Sequence, residues 1–305
     1  MLNSYNLLDY LYMNWLRPEG VVWDTTAAQL FGKQLLNGAG DILEIGIGNG
    51  YTSFMQLGGK FDPVYDWYYN VSPDGFEQNK DIYDVTKIQS IEKFIIQRPK
   101  INLVAAIDHK QNLLNQVIQL GFVKNIVLHD ANQPIETIEQ QFDTITSNIL
   151  YWLDDPLAAI RDWTTKCKEN AKIVLCFPNP RFYEYCTSYT SESSLWIKLN
   201  RGRKDCVAWC LDLDEFSKQV KAETDLKMVD SQTYLSRKTL EIWDVGLRPL
   251  SPALIKMANY LDSRQRLEIK KEWCDLCLPF AEELLENELH LGPKEGAYNF
   301  VTLSF

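Results

Sequence analysis

Four short, largely apolar runs, Ile42 to Ile45, Ile101 to Asp108, Asn125 to His129 and Ala171 to Phe177, recur along the chain with a more polar one, Gln141 to Asn148, among them. Each has strand length, and helical spacing of apolar residues follows the second from Asn112 to Leu120. Strands alternating with helices at these intervals predict a parallel, doubly wound α/β sheet. Lys227 to Tyr234 reads as a sixth strand, and Tyr298 to Phe305 alternates as a seventh. Ahead of the first strand, Leu7, Leu8, Leu11, Tyr12 and Trp15 fall at helical spacing, Arg17-Pro-Glu-Gly20 breaks it, and a second helix is expected from Thr25 to Leu36. Another is expected from Asp212 to Lys221, and three more from Pro252 to Leu261, Arg264 to Leu276 and Leu278 to Leu289.

The pattern predicts one domain over residues 1–305, with N-terminal helices in 1–40 and a C-terminal helical cap in 236–297. Residues 58–100 then form an insertion between the first helix of the sheet and the second strand. It is rich in aromatics (Phe61, Tyr65, Trp67, Tyr68, Tyr69, Phe76, Tyr83) and turns helical from Val85 to Ile96. Long insertions in compact domains are usually functional or disordered, and this aromatic content opposes disorder. A lid presenting Trp67 and Tyr68 to a substrate is one reading; a packed decoration, or part of a homo-oligomer interface, is the other.

The first strand carries the most informative motif, Glu44-Ile-Gly46-Ile-Gly48-Asn-Gly50. Glycines at a strand-to-helix turn let a ligand approach bare backbone near the positive end of a helix. A dinucleotide fingerprint needs its third glycine where Tyr51 stands, so the NAD reading loses ground. The spacing E-x-G-x-G-x-G instead resembles motif I of the class I S-adenosylmethionine (SAM) dependent methyltransferases. That resemblance covers roughly residues 40 to 235 plus the last strand, omitting the insertion, and implies a seven-stranded, mostly parallel Rossmann-like sheet with a terminal antiparallel strand. It implies SAM as cofactor and S-adenosylhomocysteine (SAH) as product, with Glu44, Gly46, Gly48 and Gly50 around the methionine portion and Asn148 at the methionine end. Asp130 and Ala131 would border the adenine, and His109 would pack against the cofactor.

Two acids compete for the ribose. Asp66 lies at about the sequence distance a compact βαβ unit requires, but Pro63 and its neighbours argue against a central strand there. Asp108 ends a far better buried strand and is preferred, because a carboxylate there accepts from both ribose hydroxyls. The family resemblance, with its displaced second strand, implies methyl transfer to a small molecule or modified peptide. O-methylation, with a carboxylate as one acceptor, is favoured; N-methylation of an amine or protein side chain, and a SAM-binding scaffold without turnover, are the rivals. His109, His129 and His290 do not stand out as a general base, so the catalytic residue stays unassigned. Arg181, Arg201, Arg203 and Arg248 fall in segments expected near the ligand edge and suit an anionic acceptor, with Tyr151 lining the pocket.

Composition narrows the partners. A net charge of −10 opposes a broad grip on nucleic acid or anionic membrane. No apolar stretch approaches the length of a membrane span and the N-terminus lacks a signal-peptide pattern, so a cytoplasmic protein is expected. Seven cysteines without a regular framework read as reduced thiols. Cys274 and Cys277 have metal-pair spacing but lie in a helical pattern, and no metal is expected.

Overall fold

The structure, a computed structural model, describes residues 7–71, 90–190, 193–194, 209–247 and 250–305. Helix α1 (Leu7–Asn14) leads through a short turn at Pro18–Gly20 into α2 (Val21–Leu35). Strand β1 (Ile42–Ile45) then feeds α3 (Tyr51–Gln56). A hairpin-like pair, β2 (Lys60–Phe61) and β3 (Ile95–Gln97), brackets the insertion. Next come β4 (Leu103–Asp108), α4 (Gln111–Leu120), β5 (Val123–Leu128), β6 (Phe142–Ser147), α5 (Pro156–Thr164) and β7 (Cys167–Pro178). Short helices α6 (Arg181–Tyr185) and α7 (Thr187–Thr190) follow, then α8 (Leu213–Glu223), β8 (Lys227–Tyr234), α9 (Arg237–Val245), α10 (Ser251–Asn259), α11 (Ser263–Leu289) and β9 (Tyr298–Ser304).

Local chemistry explains the boundaries. Asp155 accepts from the Ala158 N–H ahead of Pro156, Asp212 caps α8 through Glu215, and Ser236 caps α9 through Thr239. Asp262 accepts from Arg264 and Gln265 to start α11. Helix α4 stops at Gly121, which takes the left-handed conformation at φ +64°.

Seven strands form one sheet in the order β5-β4-β1-β6-β7-β9-β8. β1 pairs in parallel with β4 and β6, whereas β9 runs antiparallel between β7 and β8. Successive residues of β1 feed opposite cores: Ile42 packs with Phe31, Phe54 and Val174, while Leu43 and Ile45 pack with Ile107, Ile145 and Trp163. Both faces of the sheet are therefore covered, which is why the central strands read as near-continuous apolar runs.

Two expectations need correction. The helix expected from Val85 to Ile96 is not formed in its described part: Glu92–Phe94 is a single tight turn and Ile95–Gln97 is a strand on β2. The β-branched pair Ile95 and Ile96 suits a strand, and pairing with β2 gives the backbone partners that a short helix end would lack. The two helices expected over Arg264 to Leu289 are one, α11, running through Pro279. Proline removes one helical hydrogen bond, and tertiary anchoring outweighs the loss. Trp273 meets Trp15 edge-on at 6.2 Å, and Arg266 and Lys270 grip Asp66.

That grip also defines the insertion. Asp66 is fully buried and accepts from Arg266 Nη2 at 2.8 Å, Lys270 Nζ at 2.9 Å and Trp15 Nε1 at 2.9 Å. Burial opposes its charge, and the Lys270 and Arg266 charges outweigh burial, holding its carboxyl below the ordinary range. Trp67 is 7% exposed and Tyr68 1%. Trp67 stacks on Tyr51 at 6.3 Å and donates from Nε1 to Asn14. These two residues are thus packed inside the protein rather than displayed on an exposed flap. Phe76 and Tyr83 lie outside the described residues.

Candidate functional site

The glycine turn closes on itself. Gly46 and Ile47 donate their N–H groups to the Ile107 carbonyl at 2.9 and 3.2 Å, and Gly50 donates to Ile47 at 3.1 Å. Gly48 donates to Asp108 Oδ2 at 2.8 Å. A turn that spends these four donors internally makes a poor cradle for a pyrophosphate. Helix α3 has six residues, too short for the dipole-driven anion site that the glycine motif suggested. Both observations oppose a dinucleotide.

Gly46 and Gly48 serve different ends. At Gly46 (φ +81°) a Cβ would lie 2.5 Å from the Ile149 side chain, so the residue there must be small for packing. At Gly48 (φ +61°) a Cβ would meet nothing within 4 Å. Its bare backbone opens onto free space beside Asp108, where a ligand can come close.

Asp108 ends β4 next to this opening and is 7% exposed. Besides Gly48, its Oδ1 accepts from the Lys110 N–H at 2.9 Å. Each oxygen therefore takes one backbone donor and keeps lone-pair capacity for hydroxyls. His109 is exposed, with Nδ1 3.6 Å from Asp108 Oδ1. Asp66, the competitor for the ribose, is committed to its buried cations elsewhere.

Glu44 lies on the face of β1 toward α3 and receives a hydrogen bond from Ser53 Oγ. Burial pushes its carboxyl up to about 7; the Ser53 bond opposes that shift and the Asp108 charge adds to it. A cavity of about 20 Å³, room for one water, is lined by Glu44, Ser53, Thr146, Ser147 and Asn148. Ser147 donates from Oγ to the Ile45 carbonyl at 3.0 Å and so ties the ends of β1 and β6 together. Asn148 follows at the exposed edge. Asp130 is exposed just past β5, with Oδ1 receiving both Asn132 donors, and Ala131 beside it is 9% exposed.

Beyond β6 and β7 the rings of Trp23, Phe182, Trp243 and Tyr298 gather. Trp23 lies 4.9 Å from Tyr298, 5.0 Å from Trp243 and 6.0 Å from Phe182. Tyr151 meets Tyr298 edge-on at 6.2 Å. Sequence reasoning placed Tyr151 here but missed the other four. Tyr298 reaches the group because antiparallel pairing sets it opposite Pro178 on one side and Tyr234 on the other. No local pattern announces that pairing. Arg181 is half-buried at the start of α6, its N–H donating to Asn179 Oδ1. Arg201, Arg203 and Arg248 lie outside the described residues.

The glycine turn after β1, the acid after β4 and the antiparallel strand between β7 and β8 occur together on one sheet. The sheet is the seven-stranded, mostly parallel Rossmann-like one that the motif resemblance implies. No protein-family model and no curated protein sequence matches the chain. Among solved structures it is similar to the plantazolicin methyltransferase BpumL in complex with a pentazolic desmethylPZN analog and SAH, at 11% identity and a TM-score of 0.45. That match covers 100% of this chain and 99% of that one. It is also similar to the cyclase SpnF at 13% identity and a TM-score of 0.46, covering 92% and 79% of the two chains. A SAM-dependent methyltransferase from Thiobacillus denitrificans in complex with SAH matches at 13% identity and a TM-score of 0.43, covering 92% and 89%. A Rossmann-like fold does not by itself fix the reaction. Among the described residues no cluster of three or more His, Cys, Asp or Glu could hold a metal, and no helix is long and apolar enough to cross a membrane.

Proposed function

We propose that the protein binds SAM at the β1–β4 edge and transfers its methyl group to a small molecule or modified peptide, by O-methylation. The observation that carries the cofactor is Asp108: buried, bonded to the Gly48 N–H, and facing a turn that is open at Gly48 and closed to phosphate. In this reading Asp108 receives the ribose hydroxyls, Asp130 and Ala131 border the adenine, and His109 covers it from the solvent side. Glu44, Gly46, Gly48, Gly50 and Asn148 surround the methionine portion. When bound, SAM supplies an electrophilic methyl group on a sulfonium. The chain's own contribution is to position donor and acceptor in line and to complement charge. A carboxylate acceptor needs no general base, which agrees with the lack of an assigned one, and Arg181 is the described cation to hold it.

A specific observation favours a second reading, N-methylation of an amine. The half-buried rings of Trp23, Tyr151 and Trp243 border the same edge, and aromatic faces attract ammonium groups.

Calorimetric titration with SAM, SAH and NAD tests the cofactor, on the native protein and on Asp108→Ala. Binding of the two sulfur nucleosides and not NAD, lost with Asp108→Ala in a folded protein, is expected; NAD binding alone would refute it. Acceptor-dependent release of SAH from carboxylates or amines then separates the two chemistries, since methyl esters are cleaved by mild base and N-methyl groups are not. SAM binding without release on either class would mark a scaffold.

A further inference from the structure

Away from the catalytic edge, the outward face of α2 forms the floor of a groove of about 950 Å³. Thr26, Leu30, Lys33 and Asn37 recur along it at helical spacing, so the floor runs about 16 Å at roughly 1.5 Å per residue. One wall is the end of α11, with Leu285 and Leu289, together with β8. The other is Asp9, Tyr10, Met55, Lys60, Gln97 and Lys100. None of these residues belongs to the proposed cofactor site.

Two features define what the groove fits. The first is a strand edge. Ser231, Gln232, Thr233 and Tyr234 all line it in succession, although alternate side chains of a strand point to opposite faces. A groove that touches four consecutive strand residues meets the backbone edge, and β8 is the last strand of the sheet. Among the described residues no other strand pairs with that edge, and such edges accept added strands.

The second feature is charge. Lys60 is neutralised by Asp9 at 2.8 Å. Glu288 is fully engaged, accepting from the Leu235 and Ser236 N–H groups and the Thr239 hydroxyl. The Asp230 carboxylate next along β8 accepts from Gln34. Lys33 and Lys100 make no side-chain ion pair or hydrogen bond among the described residues, so the groove presents two unpaired ammonium groups, although Glu288 keeps its charge and Asp230 lies close by. Leu30, Leu36, Leu285 and Leu289 also line the groove.

We infer that this groove binds an extended acidic peptide of about five residues, added as a strand to β8 with its carboxylates toward Lys33 and Lys100. Main-chain hydrogen bonds to the edge hold it, the leucines take its apolar side chains, and the lysines select acidic residues. The inference does not rest on the methyl-transfer reading.

A fluorescent peptide alternating Glu and Val over about six residues, and its Lys-Val counterpart, are titrated into the full chain by anisotropy. Hydrogen exchange is followed in parallel. Saturable binding of the Glu peptide is expected, with slowed exchange at Ser231 to Thr233 and a loss of at least about fivefold on Lys33→Glu or Lys100→Glu. Both lysines are exposed, so the variants fold, and SAM titration of each is expected to match the native protein. Failure of SAM binding in all proteins would sink the cofactor reading and leave this one standing. The inference is overturned by equal or tighter binding of the Lys peptide, by no binding of either, or by protection located away from β8. Concentration-dependent protection of β8 without peptide would also overturn it, by showing a second copy in the groove.

Discussion

Glu44→Gln isolates what it takes to keep a carboxyl inside the proposed cofactor site. Glu44 titrates ordinarily at 4.5 and at about 7 when folded, because burial disfavours its charge. At about 1.36 kcal/mol per unit, the ionised form costs the folded state about 3 kcal/mol, an upper bound because the side chain is only half-buried. Below about pH 4.5 both folded and unfolded chains hold the proton and no cost appears. As pH rises, the unfolded chain releases its proton first, so stability falls through the window and the full cost is present above about 7. Glutamine stays neutral and can still accept from Ser53. The variant is therefore expected to equal the native protein near pH 4 and to exceed it by up to about 3 kcal/mol near pH 8. Asp24 is pushed up to about 7 by burial as well, and because it is present in both proteins it cancels from the difference. Urea unfolding at a series of pH values, with a common m-value, measures the gap. A difference independent of pH, or a variant less stable than the native protein at pH near 8, would refute the account of Glu44.

Other perturbations probe the neighbouring links. Asp66→Ala leaves Arg266 and Lys270 buried without their counter-ion and should cost about 3–5 kcal/mol by thermal or urea unfolding; a loss below about 1 kcal/mol would mean the cluster does not anchor the insertion. Gly46→Ala should destabilise clearly more than Gly48→Ala, since both adopt positive φ, costing about 1–2 kcal/mol, and only Gly46 also meets Ile149. Gly48→Ala should instead weaken SAM binding, and an unchanged affinity by calorimetry would place the ligand elsewhere. Trp23→Ala, if the aromatic group forms the acceptor side, should lower kcat/KM for the acceptor while leaving SAM affinity within about twofold; the reverse split would move Trp23 out of that role.

Much of the molecule was determined by local pattern. The apolar runs of β1 and β4 are buried on both faces, so their strand type and depth are written in their own residues. The glycines of the turn are likewise legible, because a backbone at positive φ restricts the residue type whatever surrounds it. Asp108 could be preferred to Asp66 from the quality of the strand that precedes it. Tertiary structure alone decided the rest, where the deciding partner is distant along the chain. Asp66 is held by cations about two hundred residues away, and those contacts fasten the described start of the insertion to α11. Pro279 fails to end a helix because α11 is fastened along its length to α1 and the insertion. The aromatic group beyond β6 and β7 exists only because β9 returns between β7 and β8, and the β8 groove only because α2, α11 and that last strand converge. Short-range periodicity reports burial, whereas the pairing of distant charges, rings and strand edges is selected by the free energy of the assembled fold.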